Sequence, residues 1–164
     1  MNLKKIQNKI LSLDELLVVL KKHRENNDKI VFTNGCFDIL HRGHIEYLAQ
    51  ASDLADIMII GLNTDNSVSR LKGADRPLQD EISRAISMAA IQYIDYVVLF
   101  DEETPLNLIK NIKPDVLVKG SDYKVEDIVG YDVLMEYGGE IKTIDFVEGY
   151  STTKIVDKIL KQCD

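Results

Sequence analysis

A pair of histidines separated by two residues is the clearest sign of chemistry in the sequence. His41 and His44 flank Arg42 and Gly43, shortly after an apolar run at residues 30–33. Two imidazoles aimed at one point can stabilise the charge that develops on a phosphoryl group in its transition state. Gly43 lets a bulky group approach the backbone, and the free amides at the start of a helix bind anions. This run therefore predicts a phosphate-binding loop.

The loop that carries the histidines differs from the two common phosphate-binding loops. Residues 33–44 read Thr-Asn-Gly-Cys-Phe-Asp-Ile-Leu-His-Arg-Gly-His, with a tight turn expected at Gly35. Walker A loops and Gly-x-Gly-x-x-Gly fingerprints need glycines at spacings that are absent here. Cys36 lies in this loop, but no neighbouring group predicts an activated thiolate, so we expect no nucleophilic role for it.

Three cations follow the second apolar run, which covers residues 57–62. Arg70, Lys72 and Arg76 lie within seven residues, on a segment that also holds a glycine and a proline. Long cationic side chains suit a triphosphate whose charge shifts during a reaction. A solvated surface loop is the alternative interpretation. Arg84 follows on the next predicted helix and can point back toward the same place.

Hydroxyl side chains open the last predicted helix, which covers residues 151–161. Ser151, Thr152 and Thr153 offer hydroxyls and free amides at a helix N-terminus, an arrangement typical of an anion or nucleotide site. Plain helix capping is the alternative. The histidine loop, the cations and this run each follow a predicted strand, and together they favour one shared site.

The elements that would position these loops alternate between short apolar runs and amphipathic segments. Predicted strands cover residues 30–33, 57–62, 96–100, 116–118 and 141–146. Predicted helices cover residues 44–54, 79–91, 104–112, 125–137 and 151–161. Continuous apolar strands that alternate with helices predict an α/β fold, with a doubly wound, mostly parallel, five-stranded Rossmann-like sheet. Ligands of such sheets bind beyond the carboxyl ends of the strands, where these loops lie.

An amphipathic helix precedes the alternating pattern. Ser12 and Glu15 form a capping box, and leucines with helical spacing predict a helix over residues 13–25. We expect residues 1–28 to belong to the same domain as residues 29–164, with this helix packed on the sheet or at a dimer contact. His23, on the same helix, is expected to be an ordinary surface or hydrogen-bonded structural residue.

The composition is that of a globular protein and argues against several classes of function. The chain has 164 residues, of which 45% are apolar and 29% are charged. Against 27 Asp and Glu residues there are 20 Lys and Arg residues, and the net charge of −7 argues against nonspecific binding of duplex DNA. Cys36 and Cys163 are too few for a disulfide framework or a zinc cluster, and no apolar run is long enough for a membrane span. A reduced, cytoplasmic protein with no nucleic-acid or membrane partner is expected.

The histidine loop resembles a known family signature. Residues 35–44, Gly-x-Phe-Asp-x-x-His-x-Gly-His, look like the signature of the cytidylyltransferase-like nucleotidyltransferases. The histidines alone also resemble the HIGH motif of class I aminoacyl-tRNA synthetases. Those enzymes are far longer and carry a second, lysine-rich signature that this sequence lacks. The resemblance therefore implies transfer of a nucleotidyl group to a phosphorylated acceptor.

Within that family the sequence is most similar to the adenylyltransferases that activate D-glycero-β-D-manno-heptose 1-phosphate. The segments that carry this likeness are residues 33–38, 70–73, 118–123 and 148–153. Glycerol-3-phosphate cytidylyltransferases share the histidines and the Ser-Thr-Thr run, but they carry arginines where this chain has Gln92 and Phe146. The loss of two phosphate-facing cations disfavours CTP and glycerol 3-phosphate as substrates, although they stay an alternative. Tyr150 is larger than the residue expected in either group.

The resemblance implies a mechanism and a set of site residues. A phosphate oxygen of the sugar 1-phosphate attacks the α-phosphorus of ATP in line, and pyrophosphate leaves. The implied catalytic residues are His41, His44 and Lys72. The implied nucleotide-binding residues are Asn34, Gly35, Cys36, Phe37, Gly43, Asn63, Arg76, Gly120, Ser151, Thr152 and Thr153. The implied acceptor-binding residues are Asp38, Asp65, Arg70, Asp122 and Tyr123.

The resemblance also implies a cofactor and partners. Mg²⁺ is the expected cofactor, held mainly by substrate phosphates rather than by protein ligands. ATP and a sugar 1-phosphate are the expected substrates. Because the sequence holds no kinase segment, a separate heptose kinase is expected in the same pathway. A homodimer or larger homo-oligomer is left open, and so is a nucleotide-binding module without activity, against which the intact histidines and Lys72 argue.

Overall fold

The structure is a computed structural model that describes residues 1–122 and 124–162. Within these ranges the strands are β1 (Ile10–Leu11), β2 (Ile30–Gly35), β3 (Ile57–Asn63), β4 (Tyr96–Phe100), β5 (Val116–Gly120) and β6 (Glu140–Ile144). The α-helices are α1 (Asn2–Gln7), α2 (Leu13–Glu25), α3 (Arg42–Ser52), α4 (Asp65–Lys72), α5 (Glu81–Ala89), α6 (Leu106–Ile112), α7 (Tyr131–Tyr137) and α8 (Thr152–Leu160). A short 3₁₀ helix covers Val125–Asp127.

The strands form one parallel sheet in the order β1-β4-β3-β2-β5-β6. The chain builds outward from β2 through β3 and β4, and then crosses back to place β5 and β6 on the other side of β2. The strand order therefore reverses between β2 and β5. In open parallel sheets the crevice at such a reversal, beyond the carboxyl ends of the strands, is where ligands bind.

The sheet has six strands, so the prediction of five was wrong. The missed strand is β1, in which Ile10 and Leu11 pair with Val97 and Val98 at the edge of the sheet. Two residues are too few to show an apolar period, and only their contact with β4 makes them a strand.

Helices cover both faces of the sheet, which confirms the doubly wound arrangement. On one face α3 and α5 pack on a cluster that includes Val31 and Ile60. On the other face α2 and α6 pack on a cluster that includes Phe32 and Ile59. Successive strand residues enter opposite clusters because side chains alternate across a strand. The strands are continuously apolar for the same reason.

The helix before β2 packs on this sheet. Ser12 and Glu15 form the predicted capping box, in which the Ser12 amide donates to the Glu15 carboxylate at 2.9 Å. Leu16 and Leu20 are buried in the core. His23 is a hydrogen-bonded structural residue, with Nδ1 2.8 Å from Asp28 and Nε2 3.0 Å from the hydroxyl of Tyr96 on β4.

Several helices differ from their predicted extents. The cation segment predicted as a loop includes α4, which begins where the Thr64 hydroxyl accepts a hydrogen bond from the amide of Ser67 at 3.2 Å. The helix predicted over residues 125–137 is shorter, because Gly130 adopts a left-handed conformation with φ of 99° and starts α7. The first helix, α1, had no predicted counterpart. In the part of the chain that the structure describes, every helix is too short or too polar to cross a bilayer.

Candidate active site

One cavity of about 660 Å³ lies at the carboxyl ends of β2, β3 and β5, and most of the predicted site residues line it. The predicted residues in its lining are Asn34, Gly35, Cys36, Phe37, Asp38, His41, Gly43, His44, Asn63, Lys72, Gly120, Asp122, Ser151, Thr152 and Thr153. Its volume is in the range of cavities that bind small ligands and cofactors. The sheet topology thus brings together loops that are more than a hundred residues apart in the chain.

The two histidines stack on each other at the start of α3. Their ring centroids are 3.8 Å apart, and the planes meet at 18°. His41 is the N-cap residue, and its Nδ1 accepts a hydrogen bond from the amide of His44 at 3.3 Å. In neutral His41 the proton therefore lies on Nε2. Phe37 packs edge-on against His44, with ring centroids 5.2 Å apart.

Burial keeps both imidazoles neutral near pH 7. Desolvation lowers the pKa of His41. Desolvation, together with the nearby His41, lowers the pKa of His44 to about 4. Nδ1 of His44 is buried and makes no hydrogen bond of normal geometry among the described residues. The backbone of Ile39 lies close enough to oppose part of the fall in the pKa of this ring. A neutral imidazole keeps one N–H, which can donate a hydrogen bond to a bound anion without the ring itself being charged.

The backbone around the histidines is closely packed. A side chain at Gly43 would place its Cβ 3.1 Å from the His41 ring and 3.3 Å from Cβ of Tyr150. Phe37 adopts φ of 44°, a left-handed conformation that non-glycine residues rarely take. Such a conformation costs on the order of 1–3 kcal/mol and persists where the surroundings over-determine it.

Asp38 holds this loop against the segment that follows α4. Its side chain is 3% exposed, and Oδ1 accepts hydrogen bonds from the amides of Leu78 at 2.8 Å and Gln79 at 3.0 Å. Its Oδ2 lies 3.0 Å from Nη1 of Arg76. These partners occupy the carboxylate that the resemblance assigns to the acceptor. Asp38 and Arg76 therefore fix the course of the chain beyond Lys72, and Arg76 itself does not line the cavity.

Arg84 links the histidine loop to α4. It is 1% exposed and donates to the Cys36 carbonyl at 2.8 Å and to Oδ1 of Asp65 at 2.7 Å. Asp65, predicted to bind the acceptor, thus faces an internal arginine and lies outside the cavity lining. Arg84 was predicted to point toward the site, and in the structure it supports the histidine loop through the Cys36 carbonyl.

The remaining predicted residues fall in three places. Lys72 is exposed at the end of α4 and lines the cavity. Arg70 lies outside the lining and pairs with Asp101, with Nη2 3.2 Å from Oδ2. Tyr123, predicted to bind the acceptor, and Cys163 lie outside the described residues. Burial raises the pKa of Cys36, an effect that Lys72 and Arg84 oppose, so its thiol stays protonated.

The opposite side of the cavity is formed by the loop after β6 and the start of α8. Ser151 caps α8 and accepts a hydrogen bond from the amide of Lys154 at 3.1 Å. The guanidinium carbon of Arg42 lies 5.5 Å from the centre of the Tyr150 ring. This cation–π contact joins the α8 loop to α3.

The cavity also contains residues that the predicted set omitted. They are Tyr47, Leu71, Lys119, Phe146, Val147, Glu148, Gly149 and Tyr150. Tyr47 follows His44 by three residues on α3, a spacing that places both on one helix face and that the sequence shows. Its hydroxyl lies 2.8 Å from Oγ1 of Thr33, and burial raises its pKa to about 12. Lys119 could have been found from the sequence, because it is a single charged residue between Val118 and Gly120 at the end of a predicted strand. Phe146 could not, because its distance from the site depends on the path of the loop after β6.

The described residues offer no preformed metal centre. No group of three or more His, Cys, Asp or Glu side chains among them is arranged to hold an ion. Mg²⁺ keeps several waters and often binds through substrate phosphates, so this lining suits an ion that arrives with a nucleotide.

Comparisons with known proteins agree with the geometry. Proteins named bifunctional protein HldE from Geobacter metallireducens and Campylobacter jejuni are 54% and 55% identical over 153 residues, which is 93% of this chain. The chain spans only about a third of the length of these curated relatives, 31% and 32%. A crystal structure of the lipopolysaccharide core biosynthesis protein from Thermoplasma volcanium superposes with a TM-score of 0.59 at 27% identity, covering 76% of this chain and 99% of that one. The model of the family described as cytidylyltransferase-like matches residues 32–158, which include the cavity and its two helix N-termini. This match confirms the resemblance of the histidine loop. The chain therefore belongs to the cytidylyltransferase-like family.

Proposed function

We propose that this protein is a nucleotidyltransferase that transfers AMP from ATP to D-glycero-β-D-manno-heptose 1-phosphate, giving ADP-heptose and pyrophosphate. The observation that carries the proposal is the single cavity that joins the histidine pair, Lys72 and the Ser-Thr-Thr run of α8. Its two helix N-termini and its two lysines, Lys72 and Lys119, suit a polyphosphate. The similarity to the HldE proteins over 93% of the chain supports the choice of substrates.

The residues act by positioning and by stabilising charge. His41 and His44 donate hydrogen bonds to oxygens on the α- and β-phosphates, where negative charge grows as the bond to pyrophosphate breaks. Lys72, at the end of α4, moves with the phosphates and keeps its charge close to them during the reaction. Ser151, Thr152 and Thr153 hold the nucleotide at the start of α8. Groups fixed before the reaction stabilise its transition state without having to reorganise.

The acceptor supplies the nucleophile, so the protein needs none. An oxygen of the heptose phosphate attacks the α-phosphorus in line, the new P–O bond forms, and the bond to the β-phosphate oxygen breaks. The protonated thiol of Cys36 takes no part in this step. Mg²⁺, when bound, neutralises the charge on the phosphates.

The acceptor requires a sugar that is already phosphorylated at C1. We therefore propose that a separate heptose kinase acts before this protein. The relatives are called bifunctional and are about three times as long as the matched part, which supports a second activity elsewhere in them.

The test is pyrophosphate release by the purified protein with Mg²⁺. ATP and CTP are each combined with heptose 1-phosphate and with glycerol 3-phosphate. We expect release only with ATP and the β-anomer of the heptose phosphate. Release only with CTP and glycerol 3-phosphate would keep the mechanism and overturn the choice of substrates. Binding of nucleotide without release in any pairing would identify a module without activity.

A further inference from the structure

Lys119 is a charged residue of the cavity that the family signature does not include. It is the penultimate residue of β5, and its ammonium group donates a hydrogen bond to Oδ1 of Asn34 on β2. These are the two strands between which the strand order reverses. Lys119 thus lies at the centre of the site, on the floor of the cavity.

The arginines around the site are already paired. Arg84 is bound to Asp65, and Arg76 is bound to Asp38. Arg70 is bound to Asp101 outside the cavity. Among the described residues, Lys72 and Lys119 are therefore the lysines that line this cavity and can contact a ligand there.

Lys119 and the histidines approach the cavity from opposite faces of the sheet. Thr33 faces α3, because its hydroxyl lies 2.8 Å from that of Tyr47. Side chains alternate along a strand, so Asn34 points to the opposite face of the sheet, and Lys119 shares that face through its hydrogen bond to Asn34. The histidine pair belongs to α3 and reaches the cavity from the first face.

The reaction places two anionic groups next to each other. The α-phosphate and the phosphate of the acceptor repel one another at the moment of attack, so a cation beside the acceptor phosphate favours their approach. We infer that Lys119 binds the phosphate of the acceptor and delivers it to the α-phosphate that the histidines hold from the other side. This assignment rests on the proposed function.

The surroundings of Lys119 tune its charge. Burial lowers its pKa to about 8, while the carboxylate of Asp122 on the loop after β5 opposes the shift. The neighbouring Cys36 thiol is protonated and carries no charge at this pH. Lys72, Tyr47, Glu148 and the two histidines line the same cavity. The ammonium group is therefore mainly charged at pH 7 and loses its proton as the pH rises through 8.

The test compares Lys119→Met with Lys110→Met, a control on the exposed side of α6. We expect Lys119→Met to raise the KM for heptose 1-phosphate at least about tenfold while the KM for ATP stays within about twofold, as loss of a charge-assisted hydrogen bond predicts. Lys119→Arg keeps the charge and should recover part of the loss. In the parent protein kcat/KM for the acceptor should fall above pH 8, and in Lys119→Met this fall should be absent. Circular dichroism and thermal unfolding confirm that each variant is folded.

Other results overturn the assignment. A KM for ATP that rises as much as that for the acceptor would place Lys119 on the nucleotide, and unchanged KM values would remove it from substrate binding. If the parent protein releases no pyrophosphate, the proposed function fails, and Lys119 is then tested by calorimetry with inorganic phosphate in the presence of a non-hydrolysable ATP analogue. Weaker phosphate binding by Lys119→Met, with unchanged analogue binding, would still support an anion site at Lys119. Equal phosphate binding by both proteins would refute it.

Discussion

The two sides of the cavity are built in opposite ways. The first, which we call the signature wall, is residues 33–44. Its Thr33, Phe37 and Asp38 are buried, and side chains from two other segments fix its course. The second, the C-terminal wall, is residues 146–160. There Phe146 is 59% exposed, Tyr150 is 44% exposed, and no residue of α8 is buried.

Under the proposed function, this contrast would separate the residues that act on the transition state from those that bind the nucleotide. The histidines belong to the wall that is fixed by hydrogen bonds, where a transition state gains most from groups already in place. The Ser-Thr-Thr run belongs to the wall with few buried contacts, where local stability is expected to be lower. We expect changes in the signature wall to reduce kcat or stability and changes in the C-terminal wall to reduce affinity.

The largest effect is expected at the histidine pair. His44→Ala should lower kcat by about 10²–10³-fold, or about 3–4 kcal/mol, because it removes a donor to the developing charge. Affinity for ATP, measured by calorimetry, should fall by less than about tenfold. His23→Ala is the matched control, since His23 is hydrogen-bonded to Asp28 and Tyr96 far from the cavity and should affect stability alone. A kcat for His44→Ala within threefold of that of the parent protein would mean that His44 does not contribute to the chemical step.

The next effect tests how the signature wall is held. Asp38→Asn replaces one of the two accepting oxygens with an amide and leaves Arg76 without its charged partner. The free energy of unfolding, measured by urea titration, should fall by about 2–3 kcal/mol. Asp101→Asn, which breaks the exposed pair with Arg70, should change stability far less. Similar losses in both variants would mean that Asp38 is not a special support.

Prediction from sequence succeeded where a local pattern determines the structure. The histidine loop, the capping box at Ser12 and the start of α8 are recognisable from residue types and spacing alone. The layered fold followed from the alternation of apolar runs and helices. Because parallel strands bring their carboxyl ends together, the shared cavity followed from the fold.

Partners of charged side chains could not be predicted in the same way. Asp65 and Arg70 lie on α4, close to the cavity in sequence, yet they pair with Arg84 on α5 and Asp101 after β4. Only the tertiary structure defines these contacts. The two-residue strand β1 depends likewise on its pairing with β4. Lys119 lies in residues 118–123, one of the segments that carry the family likeness, but only the tertiary structure places it beside Asn34 in the cavity.

A smaller effect is the pH dependence of stability that the buried His44 gives to the signature wall. The pKa of His44 is about 4 in the folded protein and near 6.5 when unfolded, so the unfolded state takes up a proton first as the pH falls. Stability is therefore lost between pH 6.5 and 4, by about 1 kcal/mol at pH 5 from this residue, given its partial exposure. Urea titrations at pH 7 and pH 5 should show a smaller difference for His44→Gln than for the parent protein. The same difference in both proteins would show that His44 is not held neutral by the signature wall.

The smallest effect is expected in the C-terminal wall and tests whether its hydroxyl run binds a ligand or only caps a helix. Ser151→Ala removes the acceptor for the Lys154 amide, and caps of this kind contribute about 0.5–1 kcal/mol. If the start of α8 holds the nucleotide, fraying there should weaken ATP binding about two- to fivefold and leave kcat nearly unchanged. Ser12→Ala, which breaks the equivalent cap of α2 away from the cavity, should lower stability without changing the Kd for ATP. Equal Kd values in all three proteins would mean that Ser151 only caps α8, and nucleotide binding would then rest on the signature wall and Lys72.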